Sequence, residues 1–311
     1  MNTIVYLRGG LGDFYPFLCI WPIIIKNYKL ENIKYFLDTV YLNYMGPGYE
    51  FNRQSLLYLL NIGNIYEYTV IPRHFSCAGD ILYPDAKARC DGPIEKNIKN
   101  EFMFWRKAET KEYIKGHLKF DDDILIDMAF TEQTFMWKNN EYRELKIDQR
   151  MPLTIIPDNK EKEHIHNIFQ EPHVVLHIRI KGYNESAHNF NNIINYCKVK
   201  NIKCILVGFS VEGTILPLDN IIDLRDNKVS FSGQMYLMTY AKNVIASGSG
   251  FTFHRLYHNF LDKKTMLYYP KSLGDISHGI YKGHLQNPNH IFVDTDNPEY
   301  IKTIYREIDK I

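Results

Sequence analysis

The sequence predicts an α/β fold made of two Rossmann-like, doubly wound units. Short apolar strands alternate with helix-length segments along the chain, and this alternation is typical of parallel sheets covered by helices. The chain begins with an apolar strand, a glycine turn and an apolar helix, which is how such a unit starts. A polar stretch at 157–171 lies near the middle of the 311 residues and predicts the domain boundary. Two such units would face each other across a central cleft at the carboxyl ends of both sheets.

The first half contains apolar runs of strand length and two clear helical segments. Residues 65–71 alternate apolar and polar side chains at period two, and the apolar helix at 14–28 contains Pro16 and Pro22. We expect strands at 3–7, 34–41, 65–71, 123–129 and 153–156, and helices at 14–28, 53–61 and 94–119. The predicted first domain is 1–157.

The second half is more regular. We expect strands at 174–178, 203–207, 221–224, 243–246, 265–269 and 291–293, and helices at 191–200, 233–241, 253–261 and 297–311. The predicted second domain is 172–296, followed by a C-terminal helix at 297–311.

Composition excludes several classes of protein. The chain has 37 Lys and Arg against 36 Asp and Glu, so bulk charge does not indicate a polyanion binder. An apolar fraction of 45% and a charged fraction of 23% are ordinary for a globular protein and exclude general disorder. Stretches without polar groups are too short to predict a membrane span, and the N-terminus lacks the features of a signal peptide. The five cysteines form no C-x-x-C pair, so we expect a cytoplasmic protein with free thiols.

A glycine turn, Arg8-Gly9-Gly10-Leu11-Gly12-Asp13, follows the first strand. Glycines let the backbone approach a ligand, and the helix N-terminus behind them favours negative charge. The turn lacks the G-x-G-x-x-G spacing, so it does not indicate dinucleotide binding. Asp13 has two interpretations, a helix N-cap or a general base that faces the cleft.

Two cations, Arg179 and Lys181, follow the strand at 174–178. Alternation along an extended chain places both on the same side. A pair of cations at the carboxyl end of a strand suits a diphosphate, although a surface salt-bridge pair is the alternative.

A turn of small residues, Ser247-Gly248-Ser249-Gly250, lies between a strand and a helix and continues into Phe251-Thr252-Phe253-His254. Its N–H groups and hydroxyls would cradle a phosphate, unless it is only a tight β–α turn. The Lys-Ser/Thr ending of a P-loop is missing, so an ATPase is disfavoured. Gly208 ends an earlier strand, and Glu212 beyond it would bind ribose hydroxyls or lie in an exposed loop.

The sequence predicts neither a metal site nor a cofactor. The histidines show no H-E-x-x-H spacing. Asp121-Asp122-Asp123 precedes a predicted strand and Asp294-Thr295-Asp296 precedes the last predicted helix. We interpret the first run as the charged start of a strand and the second as a helix cap, so neither predicts a metal site.

In this order, the elements resemble the GT-B glycosyltransferases, and within them the heptosyltransferase-like family, glycosyltransferase family 9. The matching features are Gly12-Asp13, Pro16-Phe17-Leu18, the strand ending in Gly208, Ile222-Asp223-Leu224, the helix start at Ser230, and a helix start of the type Asp-Ser-Gly-x-x-His. The resemblance covers about 1–25 and most of 172–260. This chain differs in having Gly248 in place of the family Asp and one additional residue before His254.

The resemblance implies metal-independent, inverting transfer of a sugar from a nucleotide-diphosphate sugar to an acceptor hydroxyl. It makes the second domain the donor-binding domain and the first the acceptor-binding domain, with Asp13 as the catalytic base. The implied donor site comprises Arg179, Lys181, Gly208, Glu212, Ser249, Gly250, Phe251 and His254. The implied acceptor side comprises Arg8, Gly10 and Gly12. The helix at 297–311 would pack back toward the first domain.

Several alternatives stay open at this point. The acceptor would be a saccharide of a cell-surface glycan, or a hydroxymethylated base in DNA as in phage enzymes of this fold. The segment 87–119 holds nine Lys and Arg with interleaved aromatics, which would suit nucleic acid or form a solvated helix face. A nucleotide-sugar epimerase would use the same architecture without an acceptor, and Gly248 also allows a non-catalytic sugar-nucleotide binder. The sequence does not specify the donor sugar, its base or the oligomeric state.

Overall fold

The computed structural model describes residues 2–7, 11–38, 49–71, 124–128, 134–138, 141–145, 147, 151–177, 187–208, 218–225, 228–247, 250–258, 261–269, 287–295 and 297–311. The strands in these ranges are β1 (Thr3–Leu7), β2 (Ile33–Asp38), β3 (Thr69–Ile71), β4 (Ile124–Met128), β5 (Thr134–Lys138), β6 (Glu141–Leu145), β7 (His173–His177), β8 (Lys203–Val207), β9 (Ile221–Asp223), β10 (Asn243–Ser247), β11 (Lys264–Tyr269) and β12 (His290–Asp294). The helices are α1 (Leu11–Tyr28), α2 (Tyr49–Ile62), α3 (Asn159–Ile168), α4 (Ala187–Val199), α5 (Phe231–Tyr240), α6 (Gly250–His258) and α7 (Tyr300–Ile308). The helix predicted at 94–119 lies outside the described residues.

The strands form two six-stranded sheets, one from each half of the chain. The first has the order β3-β2-β1-β4-β5-β6, and the second has the order β12-β11-β10-β7-β8-β9 with all strands parallel. In each sheet the strand order reverses beside the first strand of that half, between β1 and β4 and between β7 and β10. Ligands of doubly wound sheets bind outside the carboxyl ends of the strands at such switch points. The predicted α/β class with two Rossmann-like sheets is confirmed.

The first sheet is antiparallel at one edge, which the sequence analysis did not specify. The strands β5 and β6 are antiparallel to their neighbours, and Lys138 pairs with Glu141 where the hairpin closes. Only two residues separate these strands, and so short a connection allows only an antiparallel return. The outer strand carries the exposed charges Glu141, Arg143 and Glu144, which protect an open sheet edge from pairing with another chain.

An irregular segment at 151–158 connects the two halves, where the sequence predicted a strand at 153–156. The N–H of Met151 donates to the carbonyl of Cys19 in α1 at 2.9 Å. The N–H of Ile156 donates to the hydroxyl of Tyr58 in α2 at 3.2 Å. Because its hydrogen bonds go to helices, this segment lies across α1 and α2 and joins neither sheet.

The polar stretch predicted as the domain boundary contains the helix α3. Asp158 caps it, since its Oδ1 accepts from the N–H groups of Lys160 at 2.9 Å and Glu161 at 3.0 Å. Glu161 then reaches α5, where its carboxylate accepts from the N–H of Ser230 at 2.7 Å and from its hydroxyl at 2.6 Å. The boundary region is therefore anchored to the second half.

The main apolar cluster lies between the two sheets and contains side chains from both halves. It combines α1, α2, α5 and α6 with inward-facing residues of β1, β4, β7, β8 and β10. The helix α1 is buried on most sides, as expected for a helix between two layers. In the described ranges, no helix combines the length and the apolar character needed to cross a membrane.

The C-terminal helix α7 packs on the second half. Ile304 and Ile308 join α4 in the cluster under the far face of the second sheet. Tyr305 stacks on Tyr196 with ring centroids 4.0 Å apart, and Glu307 accepts from Lys264 Nζ at 2.9 Å. These contacts correct the prediction that this helix packs back toward the first domain, because its apolar stripe is already buried under the second sheet.

Candidate functional site

The carboxyl ends of β1 and β10 each lead into a helix that begins beside a switch point. The helix α1 begins at Leu11, so Gly12 and Asp13 lie in its first turn. The helix α6 begins at Gly250 and not at 253 as predicted, so Gly250 and Phe251 are its first two residues. Helix N-termini carry unbonded N–H groups and a partial positive charge. Both helices therefore present anion-favouring ends at the carboxyl edges of the sheets.

The N-terminal halves of these two helices are in contact. Tyr15 is the fifth residue of α1, and its ring lies edge-on to His254, the fifth residue of α6, with centroids 5.8 Å apart. The same ring meets Tyr257 at 5.7 Å. Tyr15 is only 1% exposed, and burial raises the pKa of its phenol well above the usual value, so it stays neutral. This contact brings the helix of Asp13 close to the helix of the predicted phosphate cradle.

His254 was predicted to bind the donor, but its position favours a packing role. The imidazole is 0% exposed, and its Nε2 lies 3.0 Å from the carbonyl oxygen of Met235. Burial, reinforced by His258, lowers the pKa of His254 to about 3, so the ring is neutral at physiological pH. Nε2 must carry the proton that it donates to the carbonyl. A neutral, fully buried ring of this kind holds α6 against α5 and α1 and has no surface for a diphosphate.

The next residue, Arg255, forms hydrogen bonds with several segments of the second half. It is buried, and it donates to the carbonyls of Thr239 at 2.5 Å and Ala241 at 2.8 Å. It also donates to the carbonyl of Lys264 at 3.2 Å and to Thr265 Oγ1 at 3.0 Å. Burial lowers the pKa of this guanidinium to about 9, which leaves it charged at neutral pH. Arg255 therefore fixes α6 relative to the end of α5 and the start of β11.

Gly208 lies at the carboxyl end of β8, as predicted, and only glycine fits there. Its φ is +98°, and a Cβ at this position would lie 2.7 Å from Nδ1 of His177. Its N–H donates to Oε1 of Gln234 at 2.7 Å. Because that N–H is already bonded to Gln234, the amide of Gly208 is not available to a ligand.

The connection from β9 to α5 runs beside this point and begins with an ion pair. Arg225 donates to both carboxylate oxygens of Asp223, at 2.9 and 2.7 Å. These hydrogen bonds hold the pKa of Asp223 below its ordinary value. The pair is half-buried and fixes the first turn of the connection.

The other predicted site residues lie outside the described residues. They are Arg8, Gly10, Arg179, Lys181, Glu212 and Ser249. Their predicted roles stay predictions, as does the role of Asp13, of which the structure gives the backbone position. No group of three or more His, Cys, Asp or Glu side chains among the described residues is arranged to hold a metal ion.

Sequence reasoning missed three polar or aromatic residues that shape this region: Tyr15, His177 and Gln234. Each is buried and contacts a residue far away in the chain. His177, the last residue of β7, had one available signal, since a histidine that ends an otherwise apolar strand lies at the ligand edge of a parallel sheet. Tyr15 and Gln234 had none, because their helices look like ordinary core helices.

The sequence matches no family model and no curated protein. Among solved structures, ADP-heptose LPS heptosyltransferase II of E. coli matches with a TM-score of 0.51 and 12% identity, over 100% of this chain and 98% of that chain. A glycosyltransferase family 9 protein of Veillonella parvula DSM 2008 matches with a TM-score of 0.49 and 14% identity, over 100% and 89%. The UDP-GlcNAc 2-epimerase of Methanocaldococcus jannaschii gives 0.47 and 8%, over 100% and 93%. The match to the E. coli enzyme shows that this chain has the GT-B fold that the sequence analysis predicted.

Proposed function

We propose that this protein is an inverting glycosyltransferase that moves a sugar from a nucleotide-diphosphate sugar to an acceptor hydroxyl. The observation that carries the proposal is the contact between the N-terminal halves of α1 and α6. Each helix follows a strand at a switch point, so a ligand bound between them meets groups from both halves. The fold shared with a heptosyltransferase supports the same function.

In this proposal the donor binds to the second half. Arg179, Lys181 and the N–H groups at Ser249–Phe251 hold the diphosphate, because fixed cations and helix N-termini match its charge. Glu212 accepts hydrogen bonds from the ribose hydroxyls. Gly208 contributes the backbone course that leads to Glu212. The same positive groups stabilise the departing diphosphate, so the reaction as proposed uses no metal.

Asp13 acts as the general base. Its carboxylate takes the proton of the acceptor hydroxyl, whose oxygen attacks C1 of the sugar from the face opposite the diphosphate. The new C1–O bond forms as the bond from C1 to the phosphate oxygen breaks, and the nucleoside diphosphate leaves with that electron pair. Attack from the opposite face inverts the anomeric configuration.

We further propose that the acceptor is a saccharide of a cell-surface glycan and that Arg8, Gly10 and Gly12 lie on its side of the site. These residues precede or begin α1 and belong to the same turn as Asp13. Backbone without side chains at the two glycines would leave room for an acceptor hydroxyl to reach the carboxylate.

A donor screen followed by a transfer assay tests the proposal. The melting temperature is measured with ADP-, UDP-, GDP- and CMP-sugars, with ADP-heptose first because the E. coli relative is named for it. A ligand that binds only the folded state raises the melting temperature by mass action. The bound donor is then incubated with saccharides, with hydroxymethylated DNA or with no acceptor, each with EDTA and with Mg²⁺. We expect saccharide glycosylation with an inverted anomeric centre and equal rates in both conditions.

The variant Asp13→Asn separates the base from a simple helix cap. Asparagine keeps the shape and a hydrogen-bond acceptor of aspartate in the first turn of α1 but cannot take a proton. We expect unchanged melting and donor binding, with transfer slower by about 10²–10⁴-fold. Transfer at the wild-type rate would leave Asp13 as a cap only. Transfer to DNA would replace the proposed acceptor, and conversion of the donor without an acceptor would replace transfer by epimerisation.

A further inference from the structure

We propose that Gln234 is a positioning residue for the nucleotide-sugar donor, which it serves by clamping the end of β8 to the connection that precedes α5. It is the fourth residue of α5 and is 0% exposed. Its Oε1 accepts from the N–H of Gly208 at 2.7 Å, and its Nε2 donates to the carbonyl of Val229 at 3.2 Å. One side chain thus joins two backbone segments from different connections of the second sheet.

Both hydrogen bonds go to backbone groups outside the regular part of α5. A buried polar side chain that served only its own helix would bond within that helix, as Thr239 does by donating from Oγ1 to the carbonyl of Met235 at 2.8 Å. An amide without partners at this depth would destabilise the core. What Gln234 fixes is therefore the separation of the two segments, β8 to one side and the β9–α5 connection to the other.

The two segments are also fixed by other contacts at their far ends. The φ of +98° at Gly208 and the imidazole of His177 beneath it set the direction in which the chain leaves β8. The ion pair of Asp223 and Arg225 holds the opposite end of the β9–α5 connection. The N–H of Leu224 also donates to the carbonyl of Leu206 at 3.0 Å, which joins the start of the connection to β8. Gln234 adds a buried side-chain link at the other end of the connection, between Gly208 and Val229.

The clamp lies at the edge where the proposed donor would bind. The strand β8 adjoins β7 at the switch point of the second sheet, and the chain leaving Gly208 leads to Glu212. If the end of β8 shifted relative to Val229, the edge of the proposed donor site at Gly208 would lose its alignment, while the backbone of α1 would keep its place. The inference rests on the proposed function, and it predicts an effect on donor affinity with little effect on the chemical step.

The experiment compares Gln234→Met with Thr239→Val in the full-length protein. Methionine has nearly the shape of glutamine but makes neither hydrogen bond, and valine likewise removes only the hydroxyl bond of Thr239. Both variants lose a buried polar contact on the same helix, so both measure what α5 loses in stability. Donor KM, kcat and urea unfolding are measured for each, with the donor identified in the wild-type screen.

We expect Gln234→Met to raise the donor KM by about tenfold or more, the factor that corresponds to one net hydrogen bond, with kcat within about twofold of wild type. Thr239→Val should leave KM unchanged at a comparable loss of stability. A second variant, Gln234→Glu, keeps an acceptor for the Gly208 N–H, and burial favours its neutral form, which can still donate to Val229. Its KM should lie between those of wild type and Gln234→Met.

Three outcomes would overturn the inference. An unchanged KM in Gln234→Met, or an equal rise in Thr239→Val, would leave Gln234 with a purely structural role. A fall in kcat at constant KM would place its effect on the chemical step and not on the donor. Failure of the wild-type protein to bind any nucleotide-sugar would instead refute the proposed function, and that result is obtained before any variant is made.

Discussion

Because the imidazole of His254 is buried, its protonation should make the free energy of unfolding depend on pH. The substitution His254→Gln should remove this part of the pH dependence. Burial holds the pKa of His254 at about 3 in the folded protein, whereas the ordinary value is 6.5. His258, Arg255 and His177 oppose its protonation further. The substitution His254→Gln removes the titrating ring but keeps an amide N–H that can reach the carbonyl of Met235.

The direction of the effect follows from where the proton is bound. Between pH ~6.5 and pH ~3 the unfolded chain protonates this histidine and the folded protein does not, so unfolding takes up a proton. The free energy of unfolding therefore decreases as the pH falls through this window, and it is unaffected by this group above it. From pH ~7.5 to pH ~5 the loss due to His254 is about 2 kcal/mol, and it reaches about 4 kcal/mol near pH ~3.

Urea unfolding at these two pH values, followed by tryptophan fluorescence, measures the difference. Between pH ~7.5 and pH ~5 the wild type should lose about 2 kcal/mol more than His254→Gln. His173 and His258 also have lowered pKa values, but burial is the main cause at both and His254 contributes to neither. The effects of these two histidines on the free energy of unfolding are present in both proteins, so they cancel when the two proteins are compared. The exposed His164 of α3 provides the matched control for a His-to-Gln substitution away from the buried site.

Equal losses in the wild type and in His254→Gln would refute the reasoning. That result would mean that the imidazole is protonated in the folded protein, or that water reaches it. The deeply buried position between α1, α5 and α6 would then be wrong, and with it the packing role assigned to this residue.

Two further substitutions test the anchors of the second half by urea unfolding. Arg255→Met should lower the free energy of unfolding by about 3–5 kcal/mol, because it leaves three buried backbone carbonyls without a donor; a loss below ~1 kcal/mol would show that these carbonyls find other partners. Glu161→Ala should lower the free energy of unfolding by about 1 kcal/mol, because it removes the acceptor for Ser230 at the start of α5. The control Glu163→Ala, at an exposed position on the same helix, should lower it little. Equal losses in the two variants would contradict the anchoring of α3 on α5.

The parallel strands and most helices of the second half could be predicted because each one is a local pattern. The strand β8 has its predicted bounds, since a fully buried run that ends in glycine leaves little choice. The start of α6 was placed three residues too late, because apolar spacing begins at Phe253 while a glycine and a serine-rich turn carry no apolar signal. Helix ends depend on the hydrogen bonds of individual N–H groups, and these are weakly encoded by composition.

The errors in the first half have a different cause. The apolar segment at 153–156 has strand propensity, but its backbone bonds to α1 and α2, and these tertiary contacts override propensity. The hairpin of β5 and β6 was missed although a signal existed. Residues 134–138 and 141–145 flank Asn139-Asn140, and an asparagine pair between two runs of strand-forming residues is a turn signal.

The part of the candidate site that depends on the residues directly after a strand could be predicted from the sequence. The contacts between residues far apart in the chain could not. The glycine at 208 was predicted because a glycine directly after a buried strand indicates a sharp change of chain direction at the sheet edge. The partnership of Tyr15 with His254 joins residues 239 positions apart, and that of Gln234 with Gly208 crosses from a helix to a strand end. Such pairs are set by how the layers stack, which single-sequence patterns do not encode.

The electrostatics of the α1–α6 contact also bear on what binds there. Two helix N-termini that approach each other bring two partial positive charges together, and these repel unless negative charge lies near them. Asp13 lies in the first turn of α1, where a carboxylate is generally favourable. At the start of α6 the described residues offer no carboxylate, and the groups packed between the helices, Tyr15 and His254, are both held neutral by burial. For the proposed function, we expect the positive end of α6 to receive an anion from outside the protein, and a diphosphate has the charge to do so while Asp13 serves as the proposed base.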